Sequence, residues 1–447
     1  MTAAPARPGN VRVMSAVRSR FVVRTFATFV LFTVLAGQFW RNLGGWWGFG
    51  AVAALVVVGS AVALIMEKPD WKWRRFPKAL ILFMLLATLS ILWSFYPGAS
   101  ALGITLQWGT TLAALFVALV LSWAELLRTL SAALRLVLGL SLLFELYVSV
   151  VVGHAVLPFF VHYDLEKIPL AFYWSRGLLL DGGPIEGIVA NRNLLGFLAL
   201  IAVIVFAVQL AAKTVRRGWG MFWLVVAAAT LLLTRSATVT LSAIVVLVAL
   251  GFALWARSVH HQARRPVYLT AAASVVVAVG GLVAFFPLLL QAFGKSDDLT
   301  GRFDIWASVS ELASQRPAFG WGWVSYWVPW VEPFNDLAVR RGVTYLQAHN
   351  AWLDVWLQLG IVGLVLFIAL VSATLWRSWF LAIDRPRLGV ADTAPYAASA
   401  LLPLLIMVAL LAQSLAESRL LVEYGWLLLV AMAVMTKRQQ GTPSPMP

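Results

Sequence analysis

Apolar runs of about 20 residues, separated by polar connections, recur along almost the whole chain, and this length lets an α-helix cross a bilayer. The pattern predicts an all-α polytopic membrane protein with about 12 transmembrane helices in a single membrane domain over residues 21–435. The predicted spans are residues 21–37, 47–66, 79–96, 101–121, 136–157, 193–212, 220–234, 237–256, 268–290, 351–376, 395–415 and 420–435.

Lysine and arginine are concentrated in the connections on the side of the two termini. Because such connections stay in the cytoplasm, both tails are predicted to be cytoplasmic. These tails are residues 1–20, interpreted as a mobile basic segment, and residues 436–447. Two long loops, residues 158–192 and 291–350, are then extracytoplasmic.

The composition narrows the class of protein further. Of the 447 residues, 61% are hydrophobic and 12% are charged, about half the charged fraction of an ordinary soluble chain. The formal net charge of +15 is explained by the basic cytoplasmic connections, so no nucleic acid is expected as a partner. The chain has no cysteine, which excludes disulfides and thiolate metal sites.

Two segments outside the predicted spans have helical periodicity. In the long outer loop, Ile305, Val309 and Ala313 fall on one face of a helix over Arg302–Ser314. We expect this helix to lie on the membrane surface with its apolar face toward the lipid. The segment Ser122–Arg135 has leucines at helical spacing and is predicted to lie along the inner surface.

Three residues at predicted outer helix ends carry candidate chemistry. Arg235 is either an arginine that reaches headgroup phosphates or a fixed cation for an anionic ligand. Arg302 either pairs with an aspartate close to it in sequence or holds phosphate oxygens bidentately. His349 is either an interfacial histidine or a base that takes a proton from a hydroxyl.

An aromatic run follows Gly320, and it has two interpretations. It contains Trp321 and Trp323, with further rings up to Trp330. The aromatic belt of a membrane protein explains such a run. A platform on which sugar rings stack would use the same side chains, and we favour the belt slightly because tryptophans occur throughout this chain.

Short motifs follow one another over residues 185–365. They are Gly187 with Asn191-Arg192-Asn193-Leu194-Leu195-Gly196; Leu233-Thr234-Arg235-Ser236; Thr300-Gly301-Arg302 with Ile305-Trp306, Pro317 and Gly320-Trp321-Gly322; and His349-Asn350 with Trp352-Leu353, Leu359-Gly360 and Gly363. In order and spacing, this set resembles the O-antigen ligase and polysaccharide polymerase (Wzy-C) superfamily of bacterial membrane proteins.

The resemblance implies a GT-C-like architecture and an inverting, metal-independent glycosyltransferase without a cofactor. The enzyme would lie in the bacterial cytoplasmic membrane with its active site on the outer face. Its donor would be a glycan linked through a diphosphate to a polyprenyl (undecaprenyl-type) lipid, and its acceptor a hydroxyl of a glycan or glycolipid. Membrane lipid and other polysaccharide-assembly proteins are the further partners that the resemblance suggests.

Carried over residue by residue, the resemblance assigns roles to the motifs. Arg235 and Arg302 would hold the diphosphate, and His349 would be the general base. Asn350 would help to set the histidine or the acceptor. Asn191, Arg192 and Asn193 would line the cavity, with Arg192 as a further cation, and Trp321 and Trp323 are the candidate sugar-binding rings.

Three alternatives remain open at this point. A metal-dependent relative would use a carboxylate in the first outer loop, but residues 38–46 contain none, and Asp297-Asp298 is the remaining candidate metal site. Polymerase is slightly favoured over ligase because residues 320–327 look more like exopolysaccharide polymerases. A transporter or flippase of lipid-linked oligosaccharide is the other class, and a central cavity lined by Glu145 would support it.

Overall fold

The computed structural model describes residues 8–161, 168–284, 297–340, 343–384 and 395–440. Within these residues the chain is predominantly helical, with one short antiparallel ribbon formed by β1 (Val339–Arg340) and β2 (Val343–Thr344). The helices are α1 (Pro8–Leu35), α2 (Gly37–Glu67), α3 (Lys78–Leu89), α4 (Pro97–Val120), α5 (Trp123–Tyr147), α6 (Arg192–Ala211), α7 (Arg217–Leu233), α8 (Ala237–Ser258), α9 (Arg265–Ala284), α10 (Asp297–Ser314), α11 (Ala351–Ile383), α12 (Leu402–Ser414) and α13 (Glu423–Gln439).

The predicted all-helical fold class is confirmed. Each predicted span overlaps one of these helices, and α10 alone among them lies in a predicted loop. Among the described residues, 6 helices are long and apolar enough to cross a membrane, namely α2, α4, α5 with its extension to Val152, α6, α8 and α11. A count of twelve crossings and a GT-C-like arrangement stay predictions.

Contacts between segments far apart in the chain define two ends of the helical bundle. At the end we call the loop end, Ser90 Oγ accepts a hydrogen bond from the backbone N–H of Trp323. At the opposite end, which we call the tail end, Arg135 Nη2 donates to Gln209 Oε1 over 2.9 Å. The described residues between α5 and α6, and those between α9 and α11, lie at the loop end.

Two predicted connections at the tail end are parts of longer helices. The first helix begins at Pro8, so part of the segment 1–20 that we interpreted as a mobile tail is helical. Ser122 caps α5 in a capping box with Glu125, and Leu130 and Leu134 are fully buried. The segment from Ser122 is therefore the buried start of a long helix, and the prediction that it lies along the inner surface is wrong.

The helix α10 forms where it is predicted, but its apolar face has another partner. Ile305, Val309 and Ala313 are buried in a cluster with residues of α11 and the loop that follows α10. The indole N–H of Trp306 also donates to the carbonyl oxygen of Ala348 over 3.0 Å. The protein itself covers this face, so the prediction that it rests on the membrane surface is wrong.

A break in α11 fixes the loop after α10. Gly360 has a left-handed backbone with φ of 65°, which interrupts the helical hydrogen bonds. Pro317 then accepts from the backbone N–H of Ile361 at 2.7 Å, and the N–H of Trp321 donates to Leu357 at 3.0 Å. The chain between α10 and residue 322 is in this way bonded to the helix that begins just after His349.

Candidate active site

Glu417 lies between the two residues for which the sequence predicts catalytic roles. Its Oε1 accepts a hydrogen bond from Arg302 Nη2 at 3.0 Å, and its Oε2 lies 3.0 Å from His349 Nδ1. All three side chains are largely buried, with 7% of the Glu417 side chain exposed and 15% of the His349 side chain. One carboxylate therefore joins α10 to the residues just before α11.

The carboxylate of Glu417 is the hydrogen-bond partner that orients the imidazole of His349. Burial raises the pKa of this carboxyl, but His349 and Arg302 outweigh burial and lower it to about 2. The carboxylate is therefore ionised at neutral pH and can only accept hydrogen bonds. We assign the proton of the neutral imidazole to Nδ1 on this basis, which leaves Nε2 as the basic nitrogen.

A buried aspartate in the first turn of α11 holds the backbone next to His349. Asp354 Oδ2 accepts from the N–H of Ala348 at 3.0 Å, and its Oδ1 accepts from the indole of Trp327 at 2.8 Å. His349 itself has a φ of 51°, in the left-handed region where a non-glycine residue needs support from its surroundings. The bonds to Asp354 supply that support.

The segment between α12 and α13 is tied to the same place. Gln347 Nε2 donates to Glu417 Oε2 over 3.1 Å, and Gln347 Oε1 accepts from the N–H of Ser418 at 3.3 Å. The hydroxyl of Ser418 donates to Asp354. Residues before α11 and residues after α12 therefore form one hydrogen-bonded unit.

Arg419 adds a second buried guanidinium next to this unit. Its Nη1 donates to Glu423, and its guanidinium carbon lies 5.2 Å from the ring centre of Tyr326. Burial lowers the pKa of Arg419, but Tyr326 and Glu423 hold it above its usual range. Arg419 therefore stays charged beside Glu417 and helps to keep that carboxyl ionised.

Arg235 belongs to a different segment of the chain from Arg302 and His349. It occupies the turn between α7 and α8 with a φ of 46°, and its side chain is exposed. A Cβ placed on Gly182 would lie 3.0 Å from Arg235 Nη2, so the two segments touch. No hydrogen bond, ion pair or ring contact within the described chain joins Arg235 to Arg302 or His349.

The Asn191–Asn193 segment packs against the Arg235 turn. Ser236 Oγ donates to Asn193 Oδ1 over 2.7 Å. Asn191 is the N-cap of α6, where its side chain accepts from two backbone N–H groups, and Arg192 is the half-buried first residue of that helix. Asn350 has the same capping role at α11. The predicted substrate contacts of these four residues stay predictions.

The two tryptophans of the predicted sugar platform make packing contacts. Trp323 is fully buried, with its ring centre 5.6 Å from that of Phe83. Trp321 packs on Phe95, with ring centres 4.6 Å apart, and its indole donates to Leu312. Neither ring stands free at the surface, and their predicted sugar-binding role stays a prediction.

Glu145 anchors a loop. A central cavity lined by this residue would have supported the transporter alternative. Its carboxylate accepts from Ser175 Oγ at 2.7 Å and from the backbone N–H groups of Glu186 and Gly187 at 2.9 and 2.6 Å. These bonds fix both ends of the segment 175–187. This segment contains Gly182, which lies next to Arg235. A carboxylate that accepts these three hydrogen bonds holds a loop in place, and this arrangement does not support an ion path through Glu145.

The fold and this arrangement define a polytopic membrane protein with a buried arginine–carboxylate–histidine site at one end of its helical bundle. Residues 220–368 match the family described as O-antigen ligase (Wzy_C). The chain is also 28% identical over 356 residues to "Exopolysaccharide production protein ExoQ" of Rhizobium meliloti (strain 1021), which covers 73% of this chain and 71% of that protein. The resemblance found in the motifs is thereby confirmed, and the chain is similar to proteins of membrane polysaccharide biosynthesis.

The family match covers only part of the site. Arg235, Arg302 and His349 lie inside residues 220–368, whereas Asn191–Asn193 and Glu417 lie outside them. The sequence did not predict a role for Glu417, nor for Gln347 or Arg419. The available signal was an acidic and a basic residue in a short connection between two apolar spans, where charge is costly unless it is paired.

Proposed function

We propose that this protein is a membrane glycosyltransferase of the O-antigen ligase and polymerase type. It transfers a glycan from a polyprenyl diphosphate to a sugar hydroxyl at the outer leaflet, without a metal ion. The contact of Glu417 with both Arg302 and His349 carries this proposal. It supports a pairing of a base with a fixed cation, and glycosyl transfer from a diphosphate needs both.

His349 acts as the general base in this mechanism. Nε2 takes the proton of the acceptor hydroxyl as its oxygen attacks the anomeric carbon of the donor sugar. The ionised Glu417 keeps Nδ1 protonated and stabilises the imidazolium that forms. Asp354 acts through Ala348, because it fixes the backbone that carries the imidazole.

The leaving diphosphate is the second requirement of the reaction. The bond from the anomeric carbon to the phosphate oxygen breaks as the new glycosidic bond forms on the opposite face of the sugar, so the configuration inverts. The electron pair of the broken bond stays on the diphosphate. Arg302, which contacts Glu417, stabilises this negative charge, and so does Arg235 in the turn between α7 and α8. The two arginines thus do what a metal ion does in other enzymes.

The loop end faces the outside of the cell membrane in this proposal. The basic residues at the tail end support that orientation, since Arg20, Arg135 and Arg438 all lie there. Donor lipids in the outer leaflet then reach the site from the plane of the membrane.

Polymerase is favoured over ligase by the similarity to the exopolysaccharide production protein. The test is reconstitution of the purified chain in vesicles with a lipid-linked repeat unit. We expect glycans of increasing length on the lipid, and turnover that continues in EDTA. Transfer to a different acceptor without chain growth would identify a ligase, and activity lost in EDTA and restored by a divalent metal would overturn the metal-free mechanism.

A further inference from the structure

A groove of about 450 Å³ opens at the loop end, and none of its lining residues belongs to the candidate active site. Its lining is almost entirely apolar. We call it the rim groove, and its residues are Trp93, Arg316, Pro317, Ala318, Phe319 and Gly320. It lies beside the break of α11 at Gly360. The N–H of Ile361, next to the break, donates to the carbonyl oxygen of Pro317, which is a groove residue.

Exposed apolar side chains lead from the rim groove along the bundle. On α3 and the turn after it, Leu85 is 50% exposed and Leu92 is 81% exposed. On α11, Ile361 and Val365 are exposed by 51% and 57%. The helices α3 and α11 pack against each other, and we call the exposed apolar side chains of this helix pair the apolar track.

Arg316 brings a positive charge to the rim of this groove. Its guanidinium carbon lies 3.7 Å from the ring centre of Phe95 and 5.1 Å from that of Trp321. Within the described residues it forms no ion pair with a carboxylate. When a guanidinium stacks on aromatic rings, the N–H donors along its edge remain available to an anion. Phosphate oxygens have the geometry to accept from these donors.

The rim groove is separate from the proposed donor site. Arg302 lies near the start of α10 and Arg316 lies just beyond its end. The helix rises about 18 Å between residues 302 and 314, at 1.5 Å per residue. The two guanidinium groups also have different partners, Glu417 for Arg302 and the Phe95 ring for Arg316.

We propose that the rim groove binds an anionic membrane phospholipid of the phosphatidylglycerol kind. Its phosphate contacts Arg316, and one acyl chain lies along the track between α3 and α11. Charge complementarity and the continuity of the groove with the membrane-facing track support this occupant over a soluble anion. Because the groove residues are bonded across the break of α11, the lipid stabilises the helix that begins after His349.

The test uses the full-length chain in nanodiscs of phosphatidylcholine. A small amount of phosphatidylglycerol with a photoreactive group on its acyl chain serves as the probe, and mass spectrometry locates the label. We expect label on peptides that contain Leu92 or Ile361. Arg316→Ala should lower this label about fivefold, the ratio that corresponds to about 1 kcal/mol for one basic residue at an anionic lipid surface.

Matched variants separate charge from folding. Arg316→Lys keeps the charge and should retain most of the label, and Arg128→Ala, which removes an exposed arginine at the tail end, should leave it unchanged. Equal labelling by a phosphatidylcholine probe, or full labelling of Arg316→Ala, would overturn the proposal. So would displacement of the probe by undecaprenyl phosphate at a lower concentration than by phosphatidylglycerol, because the groove would then hold the carrier lipid. None of these outcomes depends on glycosyl transfer.

Discussion

His349 and Glu417 lie 68 residues apart in the chain and meet at 3.0 Å between Nδ1 and Oε2. The other oxygen of Glu417 contacts Arg302. The base and one cation of the proposed reaction are thus held by a single carboxylate from the connection between α12 and α13.

The stability of the protein should depend on the charge of Glu417. The pKa of this carboxyl is lowered from 4.5 to about 2, because His349 and Arg302 outweigh the effect of burial. Its contribution is then fully present above about pH 4.5 and is lost as the pH falls toward 2, and the shift corresponds to about 3 kcal/mol. We expect the melting temperature in detergent to fall more steeply on acidification for the wild type than for Glu417→Gln. Parallel curves would contradict the assignment.

Arg302 should not tolerate replacement by lysine. In the proposed reaction the planar guanidinium of Arg302 binds both Glu417 and the diphosphate. An ammonium group lacks the fixed pair of N–H donors that such binding needs. Arg302→Lys and Arg302→Ala should both lower the transfer rate, by about 100-fold or more. The rate with a lipid-linked repeat unit in vesicles measures this, and a lysine variant close to the wild type would show that charge alone is enough.

Arg235 and Arg419 should differ in what their loss affects. Arg235 is exposed in a turn, so Arg235→Ala should lower donor affinity and turnover with little change in melting temperature. Arg419 is buried and pairs with Glu423, so Arg419→Ala should lower the unfolding free energy by about 3 kcal/mol. Donor binding and melting temperature are measured for both variants. Arg235→Ala that melts as early as Arg419→Ala would show that Arg235 has a structural role.

The break in α11 should require glycine. Gly360 has a φ of 65°, and a Cβ at this position would lie 2.2 Å from the carbonyl oxygen of Ala318. Gly360→Ala should therefore cost about 3 kcal/mol or prevent folding. The control is Gly251→Ala in α8, where a Cβ meets no atom within 4 Å and alanine should stabilise the helix slightly. A Gly360→Ala protein with an unchanged melting temperature would contradict this account of the break.

The helices and part of the site could be predicted from the sequence because they have local signals. Apolar runs of membrane-spanning length indicated all the regions where the long helices form, and short motifs indicated Arg302 and His349. One local signal has a different meaning from the predicted one. Ser122 and Glu125 have the spacing of a capping box and mark the start of α5. Asn191 and Asn350 occupy N-cap positions, and their predicted substrate contacts stay predictions.

The rest of the site depends on contacts between distant segments. Glu417 has no regular spacing from Arg302 or His349, so only the packing of α12 and α13 against α11 shows that it joins them. The apolar face of α10 could be recognised from its periodicity, but periodicity does not distinguish a membrane surface from a protein core. Ile305 and Val309 proved to face the core.

The most direct test of the central claim is glycan transfer by variants of His349. His349→Asn is the better variant beside His349→Ala, because asparagine tolerates the positive φ found at this position. In vesicles with a lipid-linked repeat unit, both variants should bind the donor like the wild type, and their transfer rate should fall by about 100-fold to 10,000-fold. Polymer of wild-type length formed at the wild-type rate by either variant would contradict the assignment of His349 as the base.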